Sequence, residues 1–206
     1  MKIRSLTLTQ KNHNEGFSLL ELLIVIVFVG LIMGWGIPNI RRQIIRQEVK
    51  NYTLRIEAGL QSLRAKQAVE KTSCVMTYPG NAFTPSGTTS PSNFVGPAGV
   101  IELKGIEGEA RKKHLNCSDD PTINNKFRLL VTEGSPLSKK IEISLTRQSF
   151  TITPPGTSTD GGSLILLIRS KQHATLNPPL PIRCVEFTGN GLSRVGDWDG
   201  GNCETR

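Results

Sequence analysis

From Phe17 to Ile37 the chain reads FSLLELLIVIVFVGLIMGWGI, 21 residues in which only Ser18 and Glu21 are strongly polar. A run without a polar face predicts a helix apolar on every side. At ~1.5 Å per residue it spans about 31 Å, enough to cross a hydrocarbon core. Beyond Pro38 the pattern changes: Ile45, Val49, Tyr52, Ile56, Leu60 and Leu63 recur at steps of three and four, one face of an amphipathic helix. Arg41, Arg42, Arg46, Lys50, Arg55 and Arg64 fall on the opposite side and are expected to form a solvated face or to touch anionic lipids. The helix is therefore expected to leave the bilayer and lay its apolar stripe on a globular head. Proline inside a helix removes a hydrogen bond and clashes with the preceding turn at a cost of roughly 3 kcal/mol. Pro38 should accordingly bend or locally melt the helix, or mark its boundary at the membrane surface.

After Thr72 the helical period stops and short β-like runs alternate with turn-rich breaks. The candidate strands are Cys74 to Tyr78, Val100 to Leu103, Phe127 to Val131, Ile141 to Thr153, Ser163 to Arg169 and Ile182 to Thr188, bounded by Gly, Pro, Asn and Ser. Pro79 to Pro97 and Asn177 to Pro181 read as exposed loops. The fold class is α+β, with a long N-terminal helix over 17–72 and a β-rich head over 73–206.

A chain of 206 residues is sized for one compact domain with appendages. Its formal charge of +8 permits anionic partners without demanding them. The basic residues Lys2, Arg4 and Lys11 ahead of the apolar run raise the alternative of a secretory signal peptide. Such a peptide has an apolar core of about 7 to 15 residues followed by small residues in an A-x-A-like pattern. Here the run is longer and ends Met33-Gly34-Trp35-Gly36-Ile37-Pro38, so the helix is expected to be retained as a membrane anchor. Basic residues on both flanks leave its orientation open. Four cysteines, Cys74, Cys117, Cys184 and Cys203, all follow the apolar run. An even count suggests two disulfides with three possible connectivities. Cys184 with Cys203 would pin the C-terminal tail to a strand, leaving Cys74 with Cys117; free buried thiols are the alternative.

The stretch Glu15-Gly16-Phe17-Ser18-Leu19-Leu20-Glu21 resembles a class III prepilin signal: a hydrophilic leader ending in glycine, an aromatic residue, and a glutamate five positions past the glycine. In type IV pilins and type II secretion pseudopilins a membrane aspartyl peptidase cuts after that glycine and the new N-terminus is methylated. The resemblance implies that 1–16 is a cleaved leader. It further implies that Phe17 becomes the terminus, and that the chain is held in the inner membrane with its head outside the cytoplasm. The partners implied are the prepilin peptidase, an inner-membrane assembly platform and other pilin or pseudopilin subunits. A carboxylate in a bilayer costs about 2.5 to 3.5 kcal/mol, so Glu21 calls for a partner. The resemblance supplies one, the α-amino group of Phe17 on a neighbouring subunit, setting register during assembly. The alternative is that Glu21 snorkels to the surface. Gly30 and Pro38 also fall where this family often has a glycine and a helix-bending proline.

Within the head, Phe150-Thr151-Ile152-Thr153-Pro154-Pro155-Gly156-Thr157 with Gly161 to Leu166, and the later run Ile182 to Gly191, resemble segments of the H-type (GspH/FimT-like) minor pilins and pseudopilins. The implied role is a structural subunit of a type IV pilus or a type II secretion pseudopilus, the choice between them left open. FimT-like members that assist DNA uptake carry a Gly-Arg-x-Arg motif. The matching place here reads Gly191-Leu192-Ser193-Arg194-Val195-Gly196, leaving Arg194 as the candidate phosphate contact.

Enzyme chemistry has little footing. His13 belongs to the leader, and His114 and His173 stand apart from any GxSxG, HExxH or phosphate-binding glycine loop. Asp119-Asp120 precedes Pro121 and reads as a loop or helix cap. No cofactor is expected. Asp197, Asp199 and Glu204 cluster oxygen donors around glycines, the raw material of a calcium site, against the plainer reading of a turn.

Overall fold

The computed structural model describes residues 16–98, 100–102, 114–124, 127 and 136–205. The expected leader up to Glu15 with His13, the last residue of the expected strand Val100 to Leu103, and all but Phe127 of the expected strand Phe127 to Val131 lie outside the described residues. The chain divides into two compact units, Met1–Gln43 and Ile44–Arg206. The amphipathic stripe therefore belongs with the head.

One helix, α1, runs Leu19–Glu70. It passes through position 38 without a break, so the backbone is not melted there and no boundary falls there. In the unit that begins at Ile44, all six stripe residues are buried, from Ile45 at 5% exposure to Tyr52, Ile56 and Leu60 at none. Burying such a side chain contributes roughly 1.5–3 kcal/mol, which explains why this stretch holds its helix against the β-rich remainder.

The head contains two antiparallel sheets. The first has the order β2-β1-β4-β5, with β1 Cys74–Thr77, β2 Leu115–Asn116, β4 Ser149–Thr153 and β5 Thr157–Ser158. The second has the order β3-β6-β7-β8-β9, with β3 Ile141–Leu145, β6 Leu164–Ser170, β7 Arg183–Phe187, β8 Ser193–Trp198 and β9 Cys203–Glu204. Met76 of β1, Phe150 and Ile152 of β4, Leu164, Leu166 and Ile168 of β6, and Val185 and Phe187 of β7 join the α1 stripe in one core. Phe150 and Phe187 meet edge to face, 5.9 Å between centroids, and tie the two sheets together.

Expectations for the head need correction at several points. Ile141 to Thr153 is not one strand. It breaks at Thr146, whose backbone N–H and hydroxyl both engage Ile165, and β3 and β4 then enter different sheets. Val100 and Ile101 form a turn, not a strand: their N–H groups and that of Glu102 converge on the Pro97 carbonyl. The segment Pro79 to Pro97 is a loop as expected but not wholly exposed: it straps the head. Phe83 and Val95 pair with β3 and cover its edge, and Phe94 lies in a second apolar cluster with Ile165, Leu167 and Trp198 on the other face of the sheet. Trp198 Nε1 also donates to the Thr88 carbonyl at 3.2 Å. With α1 on one side and the strap on the other, β6 is buried on both faces, which is why its LILLI run does not alternate. In the tail the expected turn lies over Asp199 to Asn202, between β8, which extends to Trp198, and β9, which returns beside it.

Arg64 is likewise not on a solvated face. Its guanidinium donates to the Pro155 carbonyl at 3.3 Å and to the Gly191 carbonyl at 2.7 Å, holding two turns against α1. Those turns need glycine. Gly156 and Gly191 have φ +107 and +81, and a Cβ on Gly191 would sit 2.1 Å from the Gly156 oxygen.

Candidate functional site

Gly16, Phe17 and Ser18 precede α1 in non-helical conformation. Ser18 starts the helix: its hydroxyl accepts the Leu20 N–H at 3.3 Å and its carbonyl accepts the Leu22 N–H at 3.1 Å. Glu21 lies in the first turn, where a carboxylate is favoured by the exposed N–H groups and the helix dipole. Ser18-x-x-Glu21 is thus also a helix-start signal. Among the described residues, a Cβ built on Gly16 would meet nothing within 4 Å.

The residues that follow carry large apolar side chains facing outward. Leu19 is 79% exposed, Phe28 60% and Ile32 69%. Among the described residues α1 is the helix long and apolar enough to cross a membrane by length and composition, and none of its apolar window is buried in the protein. Of the assembly candidates, Phe17 and Glu21 stand four residues apart at the start of this stretch, and the backbone at Pro38 is helical.

All four cysteines are paired. Cys74 joins Cys117, closing β1 to the residue after β2, and Cys184 joins Cys203, linking β7 to β9. The favoured connectivity is the one observed.

The tail carboxylates are already engaged. Asp197 accepts a hydrogen bond from Arg183 Nη1 at 2.5 Å. Asp199 accepts the Asn202 and Gly201 N–H groups at 2.7 and 2.8 Å, which hold its carboxyl below the usual range, Asn202 contributing most. Glu204 is exposed on β9, opposite Asp197. Among the described residues no three His, Cys, Asp or Glu side chains converge on one point. Arg194 is exposed on β8 and stands opposite Glu186 of β7, so an acid neighbours the candidate phosphate contact. His114 Nδ1 lies 3.3 Å from the Thr77 carbonyl. His173 is half-buried in a short turn, and burial, then Arg169, lower its pKa. Asp120 caps the turn over Pro121–Asn124 by accepting the Thr122 N–H at 2.8 Å.

One buried polar group escaped the sequence reading. Glu102, 1% exposed, accepts the Tyr52 hydroxyl and the Ser138 hydroxyl, each at 2.5 Å. Burial, followed by the bond to Glu102, pushes the Tyr52 phenol well above its ordinary range. The signal for it in the sequence is a tyrosine on an otherwise aliphatic stripe. Its acid partner, 50 residues away, leaves no local trace.

Compared with models of protein families, with curated proteins and with solved structures, the chain has no match in any of the three.

Proposed function

We propose that the chain is a minor pilin or pseudopilin of the H-type (GspH/FimT-like) group, a structural subunit of a type IV pilus or type II secretion pseudopilus. It is cut after Gly16 by a prepilin peptidase, held in the inner membrane by Phe17 to Ile37 with its head outside the cytoplasm, and incorporated through α1. The observation that carries the reading is the double character of α1. Its N-terminal stretch keeps a full apolar circumference exposed, while its later turns, in the other compact unit, supply the core of a disulfide-bonded β-rich head. An anchor alone has no need of the second feature, and a soluble head has no use for the first. Glu21 gives the exposed stretch an acid that a newly exposed Phe17 amine can neutralise across subunits. The DNA-uptake alternative draws less support, because Glu186 opposes Arg194 and offsets the charge a phosphate would meet.

The test is terminal sequencing of the chain after co-expression with a prepilin peptidase. A mature chain starting at Phe17 is expected, and Gly16→Leu should block its formation without disturbing the head, because among the described residues nothing lies within 4 Å of a Cβ at Gly16. Glu21→Leu should insert and be cut normally yet fail to enter filaments. Recovery of intact Met1 from assembled fibres would end the reading.

A further inference from the structure

A cavity of about 400 Å³ opens between α1 and the inner end of the second sheet, wholly within the head unit. Arg46 and Lys50 come from α1, Ser170 from the end of β6, Leu180 from the segment before β7, Arg183 from the start of β7 and Asp197 from β8. Three cations thus face one carboxylate. Asp197 accepts Arg183 Nη1, but the buried Arg183 Nε has no hydrogen-bond partner. The Ser170 oxygen accepts the Gln172 N–H and keeps its own proton to donate. The cavity is therefore a concave donor set with an excess of positive charge, shaped for a single anionic group rather than for a nucleic-acid backbone, which needs cations spread along a track.

We propose that this cavity binds the headgroup of an anionic phospholipid. Arg46 lies nine residues past Ile37, where the membrane-length apolar run ends, so chain connectivity keeps the site close in sequence to that run. The phosphodiester meets Arg46, Lys50 and Arg183. Headgroup hydroxyls, such as those of a glycerol, donate to Asp197 and accept from Ser170. Leu180 offers an apolar wall to the carbons. The proposal rests on the membrane-anchor reading of Phe17 to Ile37 and is independent of cleavage at Gly16.

The test is native mass spectrometry of the full chain, in precursor and cleaved forms, released from nonionic detergent containing equal phosphatidylglycerol and phosphatidylcholine. Preferential retention of phosphatidylglycerol by both forms is expected. Arg46→Gln with Lys50→Gln, both exposed positions, should reduce that preference about tenfold or more. Arg41→Gln with Arg42→Gln removes the same charge outside the cavity and should leave it within about twofold. Equal loss in both pairs would mean diffuse attraction and overturn the site. Equal retention of the two lipids by the unaltered chain would overturn it as well. Displacement of the lipid by equimolar inorganic phosphate would reassign the site to free phosphate and overturn the lipid assignment. A chain that stays dissolved without detergent would remove the anchor reading along with this one, whereas an inserted chain lacking lipid preference would remove this one alone.

Discussion

The two stretches of α1 are built from similar residues and meet opposite surroundings. Ile26 is 62% exposed, Ile56 fully buried. Before Gln43 the apolar residues surround the helix, and no single face could bury them all. After Ile44 six of them line up in one stripe covered by two sheets, and only Leu54 and Val69 of the large apolar residues are left facing outward. Hydrophobicity alone does not place a residue inside a protein; its angular distribution on the helix does, because a packed core can cover one side of a cylinder and a lipid phase can cover all of it.

The contrast can be broken most severely in the head. Replacing Cys74 and Cys117 with serine opens a long loop and should cost about 4 kcal/mol of head stability, read as a lowered midpoint of denaturation for the full chain in detergent. Ile56→Ala should cost about 3 kcal/mol in the same measurement, whereas Ile26→Ala should leave the head midpoint unchanged. Equal losses at the two positions would abolish the distinction between the stretches. Gly191→Ala should cost about 2 kcal/mol, since its Cβ would strike the Gly156 carbonyl while the backbone is held at positive φ.

The smallest expected effect sharpens the comparison through pH. Burial raises the phenols of Tyr52 and Tyr78 above the ordinary tyrosine value of 10.0, so the unfolded chain loses these protons first. Their contribution is complete below about pH 10 and is lost as pH rises beyond it. Tyr52→Phe should flatten this alkaline limb, while costing about 1 kcal/mol at neutral pH through the bond that Glu102 loses. An unchanged limb in Tyr52→Phe would mean that the phenol is not sequestered in the folded head.

Several elements were legible because their determinants are local. The stripe from Ile45 to Leu63 follows from helical geometry, and β1, β6 and β7 follow from compact β-prone runs with turn residues at their ends. β8 was not legible. Its sequence SRVGDW has a glycine and three charged or hydroxyl residues, and it is a strand because β7 pairs with it over Ser193 to Asp197. The break between β3 and β4 carries no glycine or proline. It arises where Thr146 turns back to Ile165, a partner 19 residues on. The tail acids at Asp197 and Asp199 showed in the sequence only as oxygen donors around glycines; the fold has Asp197 accept from Arg183 and Asp199 from two backbone N–H groups, one of which starts the turn before β9.

By itself, the sequence determined the apolar run from Phe17 to Ile37, the amphipathic stripe after it, the α+β class and the acid at Glu21. Each is a periodicity or a composition that the chain carries at every stage of folding. Tertiary structure alone decided which strands share a sheet, that Arg64 grips two glycine turns, that Glu102 is buried against Tyr52 and Ser138, and that Arg46, Lys50 and Arg183 face one cavity. The side-chain meetings among these bring α1 or Glu102 to residues from about 36 to 137 positions away, a coincidence set by packing the whole chain and encoded in no single stretch of it.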